Sequence, residues 1–382
     1  PGESIFAVSR HEDVKRILHE PATFSSRFGT PAAKPSPELL ARLREVIAQG
    51  WPNVPTMLPE DPPTHTRYRQ LGPKAFTPKR VKELEPAIRA ICSELVDGFA
   101  RGGRIDFLNS FAVALPVRAV AVILEVPETR QAEFKRWADS SVAAIGRAIT
   151  DDERVAAELD IVEQQQYFAS EIDDRREHPR DDFLTDLLNA ELTPADGVEG
   201  GPLGMAEMLS IIRQIQVAGS ETTASLLDDV MVQLANHPDE WERLQAAPSR
   251  AALVVEEALR WASPNQGLFR IVTADTEIAG TPIPAGSTVW VMYGSADHDD
   301  RVFDDPEEFR PDRPGVNQHM AFGHGIHFCL GAALARLEAV CALQTLAARL
   351  DTIAVVDEAA LRYGRSFILR GLEHLELDVT YR

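Results

Sequence analysis

Phe322-Gly323-His324-Gly325-Ile326-His327-Phe328-Cys329-Leu330-Gly331 runs directly into Ala332-Ala333-Leu334-Ala335-Arg336-Leu337-Glu338, which places one cysteine on a glycine-rich turn. Through Leu350 the chain keeps apolar residues at helical spacing, with good helix formers and no proline, so the turn opens a helix. Free N–H groups and the positive dipole end at a helix N-terminus favour thiolate over thiol. A thiolate presented in this way can be the axial ligand of haem iron and donate electron density that assists O–O cleavage. Gly323, Gly325 and Gly331 suit a chain that turns sharply and passes close to a flat macrocycle. Two other readings stand beside this one. The segment could be a structural loop with a buried cysteine. It could also be a zinc site using His324, His327 and Cys329, although no partner pair of ligands for a four-ligand centre occurs elsewhere.

Working outward, 382 residues with 44% hydrophobic content are enough to bury a large core. The longest apolar candidate for a membrane span, Phe111 to Pro127, is interrupted by Pro116 and Arg118. No signal-peptide pattern is visible, and the chain opens on Pro1. Three cysteines, Cys92, Cys329 and Cys341, make no disulfide framework, which points to a reducing, cytoplasmic compartment. A formal charge of −20 argues against nucleic acid and anionic membrane as partners. Against that background Arg67, Arg69, Lys74, Lys79, Arg80 and Lys82 form a basic island without an acidic residue. Charge alone favours a solvated segment there, with docking of an acidic partner as the second reading.

Periodicity predicts helices over Glu38–Ala48, Pro78–Phe99, Pro127–Ala148, Glu153–Arg176 and Pro248–Trp261. Strand-like stretches are few: Ile5–Val8, Phe269–Val272, Thr288–Met292 and Leu375–Val379, with a turn at Pro282–Gly286 between short strands. The longest helix is predicted from Ala206 to Asn236, stopped by Pro238. Its apolar stripe contains Ala218-Gly219-Ser220-Glu221-Thr222-Thr223, a small, hydroxyl-rich stretch where propensity predicts loosening. Either a functional site or a kink with back-bonded threonines would account for it. The order of elements predicts one mainly helical domain over 1–382 with a small β-sheet.

Taken in order, these motifs resemble the cytochrome P-450 superfamily, soluble bacterial type, over nearly the whole chain. The resemblance implies a fold holding haem b between the long central helix and the cysteine-loop helix. It makes Cys329 the axial ligand, within a loop whose family positions are Phe322, Gly323, His327 and Gly331. Ala218 and Gly219 would belong to the oxygen groove, with Thr222 hydrogen-bonding dioxygen and Glu221 relaying protons. His65, Arg69, Arg270 and His327 would hold the haem propionates. Of several Glu/Arg pairs at i and i+3, Glu257/Arg260 has the right place between the threonine helix and the cysteine loop. With Arg313 it would form a buried structural network.

Activity would be monooxygenation of a neutral lipophilic molecule, with NAD(P)H acting only indirectly through ferredoxin and a reductase, or a fused reductase. Pocket walls would come from Val54–Leu58, Gln266–Phe269 and Phe367–Ile368. The segment Arg67 to Lys82, taken to lie on the helix of His65 and Arg69, would be the proximal docking face for an acidic donor. Two departures accompany the match. Ala296-Asp297-His298-Asp299 replaces the frequent Ala-Asn-Arg-Asp, which would alter the surface near that strand, and a leading segment is expected to be missing. A peroxygenase would not need Glu221 and Thr222, and a haem-thiolate sensor would have no use for a proton relay.

Overall fold

The computed structural model describes residues 5–27, 36–71, 76–99, 103–143, 149–194 and 200–382. They fall into two compact units, one made of Pro1–Phe24, Pro78–Ala119 and Gly219–Arg382, the other of Ser25–Thr77 and Val120–Ala218. The architecture is mainly helical with small sheets, as the sequence predicts.

The first unit carries the cysteine loop. Its helix, Ala332–Arg349, packs on Glu85–Asp97 and on Ala251–Ala262 through fully buried Ala339, Ala342, Leu343 and Leu346. The single helix expected over Pro78–Phe99 is two helices, Pro78–Glu83 and Glu85–Asp97. Pro86 in the first turn of the second explains the break: it has no N–H, and its ring excludes a continuous helix through Leu84. Ile5–Val8 pairs in parallel with Thr288–Val291, which pairs antiparallel with Leu268–Val272 in the register Arg270 to Val289. A second sheet joins Leu350–Val355, Glu376–Tyr381 and Gly103–Asp106. The expected turn stands at Pro284, Ala285 and Gly286, between Thr281–Ile283 and Thr288–Val291, with Gly286 at φ +83° and Ser287 N–H donating to Pro284 O at 3.2 Å, and a further tight turn precedes it. Thr276–Ile278 pairs with Thr281–Ile283 across Ala279 and Gly280, both at positive φ (48° and 78°), and Pro282 lies in the second strand.

In the second unit Pro37–Ile47 packs on Asp151–Glu177, as does Gln131–Val142. Thr150 and Glu153 close a capping box at the start of the 27-residue helix. The long helix Met205–Asn236 begins in this unit and continues into the first. It is buried on most sides, by Met208, Ile211 and Ile212 early and by Leu227, Val230, Met231 and Leu234 late, which keeps so long an element helical. Helical hydrogen bonding continues through Ala218–Thr223, so the loosening expected there is absent. Among the described residues no helix is long and apolar enough to cross a membrane.

Candidate active site

The cysteine loop is built by main chain. The Cys329 amide donates to the Phe322 carbonyl at 2.9 Å, Phe328 N–H donates to Gly325 O at 3.1 Å, and Gly323 N–H to Met320 O at 2.7 Å. Gly323 and Gly325 have φ of +64° and +69°, where an L side chain is strained. At Gly325 a Cβ would also lie 2.2 Å from the backbone oxygen of Leu18, so glycine is required twice over. Gly331 has an ordinary φ of −84° and caps the helix, its carbonyl accepting Ala335 N–H at 2.9 Å. A Cβ on Gly331 would stand 4.0 Å from the Cys329 sulfur. Cys329 thus sits three residues ahead of an 18-residue helix, at its positive end. His324 is turned to His19, Nδ1 to Nε2 2.7 Å, and among the described residues no group of three or more His, Cys, Asp or Glu is placed to hold a metal ion. That removes the geometric basis for the zinc reading.

Beside the loop stands a support that the sequence did not disclose. The Arg336 guanidinium lies 4.6 Å over the Phe322 ring, and Phe328 meets that ring edge-on at 6.3 Å. Arg336 donates to Glu256 Oε2 at 2.9 Å, and His319 Nε2 approaches the same oxygen at 3.3 Å while its Nδ1 accepts Ala321 N–H. Burial opposes ionisation of Glu256, but Arg336 and His319 outweigh it and hold the carboxyl down to about 2.

Glu257, Arg260 and Arg313 form the expected network, with Glu257 and Arg260 fully buried. Arg260 donates from Nε and Nη2 to the two Glu257 oxygens, each at 2.8 Å, and from Nη1 to the carbonyls of Asp297 and Pro306 at 2.9 Å. Arg313 Nε reaches Glu257 at 3.2 Å, and Arg310 N–H donates to Glu257 Oε1 at 2.8 Å. The departure at Ala296-Asp297-His298-Asp299 is a core feature and not the surface change expected from sequence. Asp297 is fully buried and accepts from Ser263 Oγ and from Met320 N–H, both at 2.5 Å, fixing the backbone just before the cysteine loop.

On the long helix Glu221 and Thr222 are half-buried, and Ala218, one turn before Thr222, is exposed. Burial raises the Glu221 carboxyl. Arg270 is 3% exposed and donates to Phe269 O at 2.8 Å, and its charge lies near the buried Tyr293 hydroxyl, whose titration burial pushes up. Among the described residues it makes no ion pair, so this buried cation stands ready for an anionic group. His65 and Arg69 share the helix Thr64–Arg69 that opens after Pro62-Pro63, as expected. Burial, then the Arg69 charge, push the His65 imidazole down to about 4 against Asp61.

The basic island is not carried by one helix. Arg67 is buried and donates to Glu207 at 2.6 Å, as does the Tyr68 hydroxyl, while Lys79, Arg80 and Lys82 lie on the separate helix Pro78–Glu83. Lys74 lies outside the described residues. Nothing local in the sequence marks Arg67 for burial, because its partner is 140 residues away. Of the sequence-predicted residues, Gly219, Glu221, Thr222, Arg270, Phe322, Gly323, His327, Cys329 and Gly331 belong to the first unit, and His65, Arg69 and Ala218 to the second.

Buried acids around this site set a pH dependence. Glu338, on the cysteine-loop helix, is 1% exposed with Oε2 unsatisfied, and burial pushes its carboxyl up to about 8. Burial likewise lifts Asp297 and Asp229 to about 6. A carboxyl that holds its proton longer when folded stabilises fully below its unfolded pKa, and that contribution fades as pH rises through the folded value. Glu256, held down at about 2, works in the opposite direction and fades only in strong acid. The apparent Tm should therefore peak near about pH 5 and fall toward about pH 9. Glu338→Gln should flatten that fall, by on the order of a few kcal/mol at about 1.4 kcal/mol per pKa unit. Thermal melts across the range decide it, and a wild-type Tm rising between those limits contradicts the assignment.

The model of the cytochrome P-450 family matches residues 157–352. Erythromycin C-12 hydroxylase of Saccharopolyspora erythraea is 35% identical, across 97% of this chain and 88% of its own. Steroid C26-monooxygenase of Mycobacterium tuberculosis is 33% identical, across 91% of this chain and 92% of its own. The solved structure of cytochrome P-450 CYP109Q5 from Chondromyces apiculatus superposes with a TM-score of 0.83 at 36% identity, covering 98% of this chain and 90% of that one. With a cysteine on a glycine-bound loop at a helix mouth and a buried Glu–Arg–Arg network behind it, the chain belongs to the cytochrome P-450 family of haem-thiolate monooxygenases.

Proposed function

We propose that this protein inserts one oxygen atom from O₂ into a neutral lipophilic small molecule, by hydroxylation or epoxidation, and reduces the other atom to water. The observation that carries the reading is Cys329 on its main-chain-built loop at the positive end of Ala332–Arg349. The residues present fit haem b. Arg270 is a buried cation with no carboxylate partner among the described residues, as a haem propionate requires. Ala218 and Gly219 leave a mid-helix stretch free of side-chain bulk.

Haem bound there would supply oxygen activation, with Cys329 Sγ as its thiolate ligand. Arg270, His65, Arg69 and His327 would hold its carboxylates, and Phe322, Gly323 and Gly331 would shape the loop beneath it. Thr222 Oγ1 would present a hydroxyl proton. The Glu221 carboxyl, raised by burial, would exchange its proton at a pH closer to neutral than an ordinary glutamate and so replenish that hydroxyl.

The substrate class is supported by an exposed aromatic at the predicted wall, Phe367, by Trp290 against it and Phe269 stacked on Trp290, and by relatives named for erythromycin and steroid oxidation. Electrons would come from NAD(P)H through a ferredoxin and its reductase or a fused reductase. Lys79, Arg80 and Lys82 on Pro78–Glu83 remain the basic residues suited to an acidic donor. A cytoplasmic setting agrees with cysteines that make no disulfide framework.

Thr222→Ala tests the reading with any macrolide, steroid or terpenoid that wild type turns over. Consumption of NAD(P)H should continue while product per NAD(P)H drops by at least roughly tenfold and peroxide rises to match. Unchanged coupling would remove Thr222 from the mechanism. Tightest binding of a fatty-acid anion would replace the neutral substrate class.

A further inference from the structure

Asp229 lies one helical turn beyond Ser225 and two beyond Glu221, so the three share a stripe of the long helix, and Asp229 is seven residues from Thr222. Its carboxylate is 1% exposed. Tyr363 Oη donates to Asp229 Oδ1 at 2.8 Å, and Arg370 Nε stands 3.7 Å from Oδ2, an ion pair without a hydrogen bond. Arg370 also donates from Nη2 to the Tyr363 hydroxyl at 3.0 Å, and its guanidinium lies 4.3 Å over the Tyr363 ring and 5.2 Å over that of Trp261.

Tyr363 and Arg370 are the two legs of one hairpin. Tyr363 bridges to Leu372, and Gly364 N–H donates to Gly371 O at 2.9 Å. The hairpin is seated on the same helix, since a Cβ on Gly371 would lie 2.5 Å from Ser225 Oγ. On its other edge it is stitched to the segment before the Arg270 strand, by Gln266 N–H to Ile368 O at 2.7 Å and Arg370 N–H to Pro264 O at 2.9 Å. At its tip Phe367 is 76% exposed and meets the Trp290 ring edge-on at 6.1 Å, and Trp290 stacks on Phe269 at 6.3 Å.

Asp229 is buried while Arg370 and Tyr363, which reach it from the hairpin, are partly exposed, and a buried carboxylate is an expensive fastener where apolar packing would hold two elements at least as firmly, so its value lies in fixing one geometry. Asp228, also 1% exposed with neither carboxyl oxygen hydrogen-bonded, is the neighbouring acid, and Asp106 faces it. Arg370 and Tyr363 are the groups that face Asp229 itself. We propose that Asp229 is a positioning residue: through Tyr363 and Arg370 it sets the height of the Phe367 tip relative to Glu221 and Thr222 on the same helix, and so determines which lipophilic substrates fit and where they are oxidised. This inference rests on the monooxygenase reading above and adds to it a residue outside the oxygen site.

Asp229→Asn and Tyr363→Phe test it, with Asp229→Glu as the conservative rescue. Amide hydrogen–deuterium exchange across 363–372 in the holoenzyme reads the clamp without turnover, and should quicken by roughly tenfold in the first two variants, the scale of losing a hydrogen bond to a charged group. For a compound that wild type oxidises, KM should rise by a similar factor, roughly tenfold, while kcat changes less, with product regiochemistry spread over more positions. Asp229→Glu should recover most of the protection and of the KM. Unchanged exchange in both variants overturns the clamp. Quickened exchange with KM and regiochemistry unchanged overturns its role in substrate placement. The functional reading fails differently, by wild type binding none of the macrolides, steroids or terpenoids offered.

Discussion

Cys329→Ser yields a folded protein that has lost monooxygenation by at least ~10³, the scale on which removal of a principal catalytic group registers. The loop is held by bonds that do not involve the thiol: Cys329 N–H to Phe322 O, Gly323 N–H to Met320 O, and the Gly325 contact with Leu18. Serine keeps the amide and nearly the volume, so melting of the cofactor-free protein should shift little. What disappears is the thiolate. In the dithionite-reduced, carbon monoxide difference spectrum the wild type should show the strongly red-shifted Soret band of thiolate-ligated haem, and the variant should not. A variant that retains that band would show that another residue is the ligand.

Glu257→Ala carries the second large effect, on stability. Arg260 and Arg313, both essentially buried, donate to the one Glu257 carboxylate. Removing it leaves two guanidinium groups in the core without a counter-charge, and breaking one partner out of a buried pair typically destabilises by about 3–5 kcal/mol. That is a large part of the roughly 5–15 kcal/mol that holds a domain folded. The variant should accumulate as insoluble or haem-free protein. Glu133→Ala is the control. Glu133 pairs with Arg130 at the same i,i+3 spacing but at an exposed site, where solvent screens the pair and its loss should move stability little. Equal denaturation midpoints for the two variants would contradict the network's role.

The site candidates that sequence singles out are those whose physical signature is local. Cys329 lies within six residues of two glycines at positive φ and three residues before a helix, and Glu221–Thr222 interrupts an apolar stripe. Glu257 and Arg260 could be selected from rival pairs only through their order along the chain. What sequence concealed involves partners far apart. Arg67 looked like part of a basic surface because Glu207 is 140 residues away. Asp297 looked like a surface departure because the Met320 amide it anchors is 23 residues on. Arg336 and Glu256, which brace Phe322, are separated by 80 residues, and Asp229 and Tyr363 by 134. The extra turn at Ala279 and Gly280 is hidden in the sequence because Ala279 takes a positive φ that alanine rarely adopts.

The contact between Gly325 and the Leu18 carbonyl bears on how this chain can be recombined. Helix His11–His19 meets the cysteine loop backbone to backbone, and His19 meets His324 at 2.7 Å. A Cβ at position 325 would stand 2.2 Å from the Leu18 backbone oxygen, and a backbone oxygen cannot be trimmed to make room for it. A chimera that takes its first strand and helix from one homologue and its ligand loop from another therefore joins two main-chain surfaces shaped separately. Crossover points that keep residues 11–19 and 322–331 from one parent preserve the fit, even though some three hundred residues lie between them.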